Sequence, residues 1–522
     1  MRQCVLEAPP QAPREGNHLL LDRMSPLDLD SASPCGGAGA PAPREAVARR
    51  RNAPRRPVYA HAREIAVLAG PIAMGHLSKQ LMQTATLILF GIISPTTLAA
   101  GGLAVRITVT TQILSAILLT VGVAVAVAQG AGDTRRISAL YWNGLYLSFA
   151  LSVLSFAWFS NAHLLLRALE LPPDVIADTQ RSLDIMRWGE PANLISLGLM
   201  RGVLPAFGLA RILYLLTPFS ILVYAASAIA LARGAFGLPP MGWLGIPLSL
   251  VATTWLKAVV MLAMVHATRY RRIIAIAAPR FSVLGPMLRV GVPIGVVQAL
   301  DSLFFFASTL MIGRLGAVPL AAHQIVMNYG TITSSFAVSS GDAAALRIGF
   351  FRGRFAFADA RRAGFIGIAL SFAMTSVAAT FVAMFPDVFL GLFIDLHAPE
   401  TQSIVQVARS LASASVLWVL MDGVYVASLG LPRATDDNRF AMLVVPIVYW
   451  GLGLSTAYFL SSTMQLGVIG FWYAFVLALS VNALVLIVRF AWVSRPESQV
   501  AALPAVSNAV ILARSPSSPD HG

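Results

Sequence analysis

Long apolar blocks separated by short polar ones run the length of this chain. Twelve apolar segments lie near 65–93, 98–128, 138–160, 179–207, 211–233, 243–268, 285–313, 318–349, 363–393, 402–430, 438–461 and 466–494. Each is long enough, as a helix, to cross about 30 Å of hydrocarbon. Backbone in lipid must satisfy its own hydrogen bonds, so runs of this length predict helices. Landmarks also recur at one offset. Pro71 and Pro293 are 222 positions apart, as are Gly91 and Gly313, Leu98-Ala99-Ala100 and Leu320-Ala321-Ala322, and Gly208-Leu209-Ala210-Arg211 and Gly430-Leu431-Pro432-Arg433. The pattern predicts an all-α membrane protein whose twelve transmembrane helices form two parallel six-helix repeats around a central cavity. The predicted divisions are a disordered tail over 1–57, a first lobe over 58–275, a second lobe over 276–496 and a polar tail over 497–522.

Polar residues inside these spans are the candidate chemistry, because charge in a bilayer is costly enough to be functional by default. His76, Lys79, Gln80 and Gln83 follow the i, i+3, i+4, i+7 spacing of one helical face. Such a stripe must face protein or water, here the shared cavity. The seventh span holds Gln298, Asp301 and Ser302, and the eighth holds Asn328, Thr331, Ser335 and Asp342. The tenth places Asp422 between Trp418 and Tyr425. Asp301 and Asp422 are mid-span with no opposite charge nearby in their own helix. At the repeat offset Lys79 falls opposite Asp301, which suggests Lys79 as a built-in counter-ion for that carboxylate. Blander roles fit other residues. Hydroxyl and amide side chains in spans commonly join helices. Asp184, Arg187 and Glu190 read as an interfacial ion cluster, and Asp342 has Arg347 as a neighbour to pair with. Pro71, Pro191 and Pro293 lie within spans and permit bending.

Composition agrees with the pattern: 57% of residues are hydrophobic and 12% charged, about half the charge of a soluble domain. The net charge of +14 does not point to nucleic acid, because the arginines lie in clusters between spans. Arg49, Arg50, Arg51, Arg55, Arg56 and Arg63 precede the first span. Further clusters follow the second (Arg135, Arg136), sixth (Arg269, Arg271, Arg272, Arg280), eighth (Arg352, Arg354, Arg361, Arg362) and tenth (Arg433, Arg439) spans. The alternate loops are nearly free of basic residues, and the one after the ninth span carries Asp387, Asp395 and Glu400. Both termini are therefore expected in the cytoplasm. Cys4 and Cys35 lie in the first tail, so neither a disulfide framework nor a cysteine metal site is implied. That tail has no apolar run of signal-peptide length, and Met24 offers an alternative start. No nucleotide-binding loop, zinc-protease motif or nucleophile elbow is present. The run from Gln129 to Asp133 follows a long apolar helix and reads as a tight turn.

The landmarks together resemble the multidrug and toxic compound extrusion (MATE) family, particularly its NorM-like branch. The matching elements are Leu98-Ala99-Ala100, Gln129-Gly130-Ala131-Gly132-Asp133, Leu320-Ala321-Ala322-His323-Gln324 and Arg347-Ile348-Gly349. Pro446 with Tyr449-Trp450-Gly451, and Gly467 with Gly470-Phe471-Trp472, complete the set over residues 60–495. The resemblance implies export of organic cations or drugs in exchange for Na⁺ or H⁺. It also implies coupling roles for Asp301 and Asp422, which fall where the branch carries acids. An acid common in the family's first span is replaced by Thr86, and asparagines of its fifth span by Tyr224 and Ala228. Lys79 stands where Gln is more usual. The resemblance thus implies that the first-lobe cation site of some members is missing.

The reading is a secondary antiporter of a bacterial inner membrane, working as a monomer, with no cofactor beyond a coupling Na⁺ or H⁺. Its partners would be small organic cations and the bilayer. A second-lobe carboxylate would bind either the exported cation or the incoming ion, so competition couples the two fluxes. The expected cavity lining is His76, Lys79, Gln80, Gln83, Gln298, Asn328, Trp418 and Tyr425, the two aromatics offering π faces to a lipophilic cation. The alternatives are an exporter or flippase of a specific metabolite or lipid-linked intermediate, towards which Lys79 and Arg106 lean, and a non-transporting membrane scaffold.

Overall fold

The computed structural model describes residues 56–495 apart from 169–171, 238–239, 392–393, 395 and 397. The expectations for the two tails and the two cysteines lie outside the described residues. The long helices in chain order are α1 (Val58–Ile93), α2 (Thr96–Ala131), α3 (Thr134–Ala168), α4 (residues 173–206), α5 (Arg211–Arg233) and α6 (Gly242–Ala267). They continue with α7 (Phe281–Gly313), α8 (Ala317–Gly353), α9 (Phe357–Met384), α10 (Gln402–Thr435), α11 (Asn438–Thr463) and α12 (Gly467–Val493). Nine of these, among the described residues, are long and apolar enough to cross a membrane. The other three, α1, α4 and α8, are the ones interrupted by polar side chains, including the His76-to-Gln83 stripe and Asn328, Thr331, Ser335 and Asp342.

Local signals set the helix ends. Ser94 accepts from the Thr97 amide at 3.1 Å as α2 begins, satisfying one of the amides that a helix start leaves free. Gly132 ends α2 in the left-handed region at φ 73°, and the Asp133 side chain then accepts from the Arg136 amide at 3.0 Å. The glycine run is thus the turn that its sequence suggests. Pro71 lies inside α1 and Pro293 inside α7. π-helical turns at Leu194–Met200 and Ile447–Gly453 follow Pro191 and Pro446, where the prolines lack the amide that a regular helix needs.

Two large hydrophobic cores form, with smaller clusters beside them. One joins α7 to α12 around Phe304, Tyr449, Trp472 and Phe475, with Phe304 stacked on Tyr449 at 4.5 Å. The other joins α2 to α6 around Tyr141, Leu199, Phe207 and Met261, and reaches Met287 at the start of α7. The two sets of helices meet where α1 packs on α8, α2 on α7 and α2 on α8. Close approach there depends on missing side chains. A Cβ at Gly291 would lie 2.8 Å from the Ile117 carbonyl oxygen, and one at Gly353 would collide with the Val127 carbonyl. Contact is therefore tight where the last turns of α2 and α8 meet. Polar bonds reinforce that end: Glu64 pairs with Arg347, and His61 Nε2 lies 3.4 Å from Asp359 Oδ1.

Candidate functional site

Away from that tight end the two sets of helices enclose a cavity of about 910 Å³. Its lining comes from α1, α2, α4, α6, α7, α8, α10 and α11. The α1 stripe faces it as its spacing implies, with His76, Lys79, Gln80 and Gln83 on the wall. Gln298 and Asp301 of α7 and Asn328 of α8 line it as well. Trp418 and Tyr425 sit behind the wall. Trp418 packs on Trp472 with ring centres 5.5 Å apart, and Tyr425 meets Tyr449 edge-on at 5.7 Å. The face of α10 that carries them is turned into the core, while Val426, Leu429, Pro432 and Arg433 of the same helix reach the cavity. A spacing argument gives a shared face but not the side it points to.

The two acids singled out in the sequence are close together. The Tyr425 hydroxyl donates to Asp301 Oδ1 at 3.4 Å. Asp422, 7% exposed, accepts from the Ser334 hydroxyl. Asp301 and Ser334 are on the cavity wall, so Asp422 lies one hydroxyl behind it. The two carboxylates are near enough for their charges to interact.

A second charged centre is built on Asp342, which is 5% exposed. Arg433 Nη2 is 2.8 Å from its Oδ1, and His76 Nε2 and Arg201 Nη2 are 3.7 and 4.0 Å from its Oδ2. One carboxylate thus ties α8 to α1, α4 and α10. The expected pair with Arg347 does not form. Five residues along a helix turn about 140° around its axis, so Arg347 points elsewhere and meets Glu64 instead.

Arg201, Lys257 and Arg433 line the cavity, and sequence reading passed over the first two. Lys257 is one of only two lysines and sits mid-span, which was the available signal. Glu190 also leaves the expected interfacial cluster. Arg187 pairs with Asp184 at 3.1 Å, whereas Glu190 is buried on the wall and accepts from the Thr111 hydroxyl at 2.7 Å. The charged groups that bear on Lys79 are Arg201, Glu190 and Lys257, and no ion pair joins Lys79 to Asp301 among the described residues. Thr86 and Tyr224 come together, their hydroxyls 2.6 Å apart and both fully buried, with Ala228 in the same small core. A neutral hydrogen bond thus fills the positions at which the family resemblance noted an acid and an asparagine missing.

Long apolar helices around one charged cavity define a multi-pass membrane transporter. The chain belongs to the MATE family: the MatE family model matches residues 71–230 and 293–459, two segments that begin 222 positions apart. It is 33% identical over 432 residues to the protein named probable multidrug resistance protein NorM from Burkholderia pseudomallei (strain K96243), covering 82% of this chain and 92% of that one. It is equally similar to multidrug resistance protein NorM from Burkholderia vietnamiensis, again at 33% identity, with 82% and 94% of the two chains covered. The crystal structure of the eukaryotic MATE transporter AtDTX14 shares the fold, with a TM-score of 0.76 at 18% identity over 87% of this chain and 99% of that one. Members of this family are transporters, not enzymes.

Proposed function

We propose that this chain is a secondary active efflux transporter that exchanges organic cations or drugs for Na⁺ or H⁺ by alternating access. The observation that carries the reading is the placement of Asp301 on the cavity wall with Asp422 directly behind Ser334. A carboxylate that faces a water-filled cavity can hold an organic cation, a Na⁺ ion or a proton, but one at a time. Mutual exclusion at one charge makes uptake of the coupling ion release the exported cation, with no ATP and no cofactor. The NorM names of the bacterial relatives support multidrug export as the activity.

In this reading all twelve long helices span a bacterial inner membrane, α1–α6 and α7–α12 form two lobes related by an axis through the cavity, and a monomer suffices. Three features support it. The family model matches twice at the repeat offset. The two large hydrophobic cores separate along nearly the same division, with only the first turns of α7 joining the core of α2–α6. The contacts of α1 with α8 and of α2 with α7 exchange with one another when the halves are swapped. Arginine-rich segments flank the closed end at Gly353, which the positive-inside rule places in the cytoplasm together with both termini. The cavity would then open outward. Transport requires the α2–α8 contact to part while the opposite mouth closes.

The test is dye efflux from proteoliposomes under imposed Na⁺ or pH gradients. Gradient-driven efflux in the unaltered protein and its loss in Asp301→Asn and Asp422→Asn, at normal protein yield, are expected. Efflux at the unaltered rate in both variants would remove the coupling role.

A further inference from the structure

The two walls of the cavity differ in polarity at equivalent positions. Three of the five pairs of lining residues that stand 222 positions apart contain a basic group, His76 and Gln298, Lys79 and Asp301, and Arg106 and Asn328; Gln112 with Ser334 and Ala116 with Val338 do not. In each of these three pairs the basic member comes from α1 or α2, and its counterpart in α7 or α8 is neutral or acidic. Lys257 of α6 adds a fourth basic group to the first wall.

The protein balances these cations only in part. Arg201 and Arg433 share Asp342, as described. Glu190, held by the Thr111 hydroxyl at 2.7 Å and the Asn193 amide at 3.4 Å, is the one carboxylate whose charge bears on Lys79, and it makes no ion pair with that lysine among the described residues. Neither Lys79 nor Lys257 makes an ion pair or hydrogen bond among the described residues, and Arg106 has no carboxylate within ion-pair distance among them. Lys257 also cannot escape to the membrane surface. It lies twelve residues from Gly245 and ten from Ala267, the ends of the regular α-helical part of α6, so each end is about 15 Å away or more. A four-carbon stem is far shorter than that. Its ammonium stays in the cavity, where an unbalanced cation favours an anionic ligand.

We propose that Lys79, Arg106 and Lys257 form an anion-binding subsite that takes an oxyanion, a carboxylate or phosphate, carried by the transported molecule. This inference rests on the transport reading above. It deepens that reading by making the preferred substrate amphoteric, with its anionic group on the α1, α2 and α6 wall and its cationic group at Asp301. A purely cationic substrate would use half of the cavity and meet repulsion from the rest.

A matched pair of dyes isolates the anion. Rhodamine 110 carries a free carboxylate, and rhodamine 123 is its methyl ester with the same cationic ring system. Binding of each to the purified full-length protein in phosphatidylcholine nanodiscs is read by fluorescence polarisation. The free acid should bind about tenfold more tightly than the ester. Lys257→Gln, Lys79→Gln and the solvent-facing Arg106→Gln should each cut that ratio at least threefold, and Lys257→Arg should preserve it, which separates charge from folding. Equal affinity for the two dyes, an unchanged ratio in all three neutral variants, or no free-acid binding would overturn the proposal. Loss of the preference when phosphatidylglycerol is added, in unaltered protein alone, would assign the same cations to lipid phosphate and overturn the solute assignment. Gradient-driven efflux of the ester tests the transport reading separately, so a driven ester with no acid preference defeats only the subsite.

Discussion

Replacing Asp342 by Asn removes one negative charge from a centre that holds four helices together. The closest partner is Arg433, 2.8 Å away, with Arg201 at 4.0 Å and His76 at 3.7 Å. At an effective dielectric of about 20, the two arginine interactions are worth roughly 6 and 4 kcal/mol before desolvation is counted. Asn keeps the shape and one hydrogen-bond acceptor, but leaves two guanidinium groups near one another without an anion. Breaking a buried pair from one side costs about 3–5 kcal/mol, and the retained acceptor places Asp342→Asn near the lower end. Removing Arg433 as well relieves part of that cost, because the orphaned cation goes with the anion. The assay is reversible unfolding of purified protein in mixed detergent micelles, as a double-mutant cycle of Asp342→Asn and Arg433→Gln. A coupling of about 2 kcal/mol or more is expected for this contacting pair. A loss below about 0.5 kcal/mol in Asp342→Asn, the level of an inconsequential surface change, would refute the argument. So would a double variant that is less stable than the two single losses added together.

Three smaller changes test other parts of the structure. Ser334→Ala removes the hydroxyl that bonds Asp422; a bond to a charged group is worth about 1.5–3 kcal/mol, so the apparent affinity for the coupling ion should change about tenfold, and unchanged ion dependence of efflux would count against a role for that bond. Gly353→Val forces a side chain against the Val127 carbonyl, and overpacking of about 1–3 kcal/mol should lower the melting temperature and slow efflux; normal values of both would show that α2 and α8 tolerate separation. Tyr224→Phe should cost only about 1 kcal/mol, because Thr86 already donates to the Met82 carbonyl at 2.7 Å; a loss of Na⁺ dependence in this variant would show that the Thr86–Tyr224 position binds the ion after all.

Much of this arrangement is legible in the sequence, and the parts that are not share a cause. Periodicity found the α1 stripe because a helix repeats every 3.6 residues and lipid rejects polar faces. It also grouped Trp418, Asp422 and Tyr425 on one face of α10. It could not say whether that face met the cavity or the core, which depends on how α10 is rotated against α8 and α12. Asp342 was paired with a neighbour in sequence, yet its partners come from residues 76, 201 and 433. Lys257 stands alone in its helix, where a stripe cannot form, and Arg201 lies eleven residues beyond Glu190, outside the cluster that sequence proximity suggests. Glu190 was read with Asp184 and Arg187 because all three are close in sequence. The 3-10 turn at Arg187–Gly189 separates it from Arg187, and it meets Thr111 instead.

The offset of 222 residues gives equivalence between positions and not proximity, and Lys79 makes no ion pair with Asp301 among the described residues. Equivalent positions in two lobes related by an axis through a cavity lie on opposite walls, at equal distance from that axis. In the proposed two-lobe arrangement, equivalence would therefore place Lys79 and Asp301 on opposite walls, in keeping with the lack of an ion pair between them among the described residues. The same symmetry makes the substitution informative. Duplicated halves with like residues would give a cavity of uniform polarity, suited to a ligand of one sign. A lysine set against an aspartate breaks the symmetry in charge while keeping it in shape. What the pair can hold jointly is a molecule long enough to reach both walls, with opposite charges at its two ends. Lys79→Gln and Asp301→Asn should accordingly act on different ends of one substrate. The first should weaken binding of rhodamine 110 and spare its ester, and the second should weaken both dyes. If Lys79→Gln weakens the two dyes equally, the lysine does not recognise the carboxylate, and the charge asymmetry has no part in selecting the substrate.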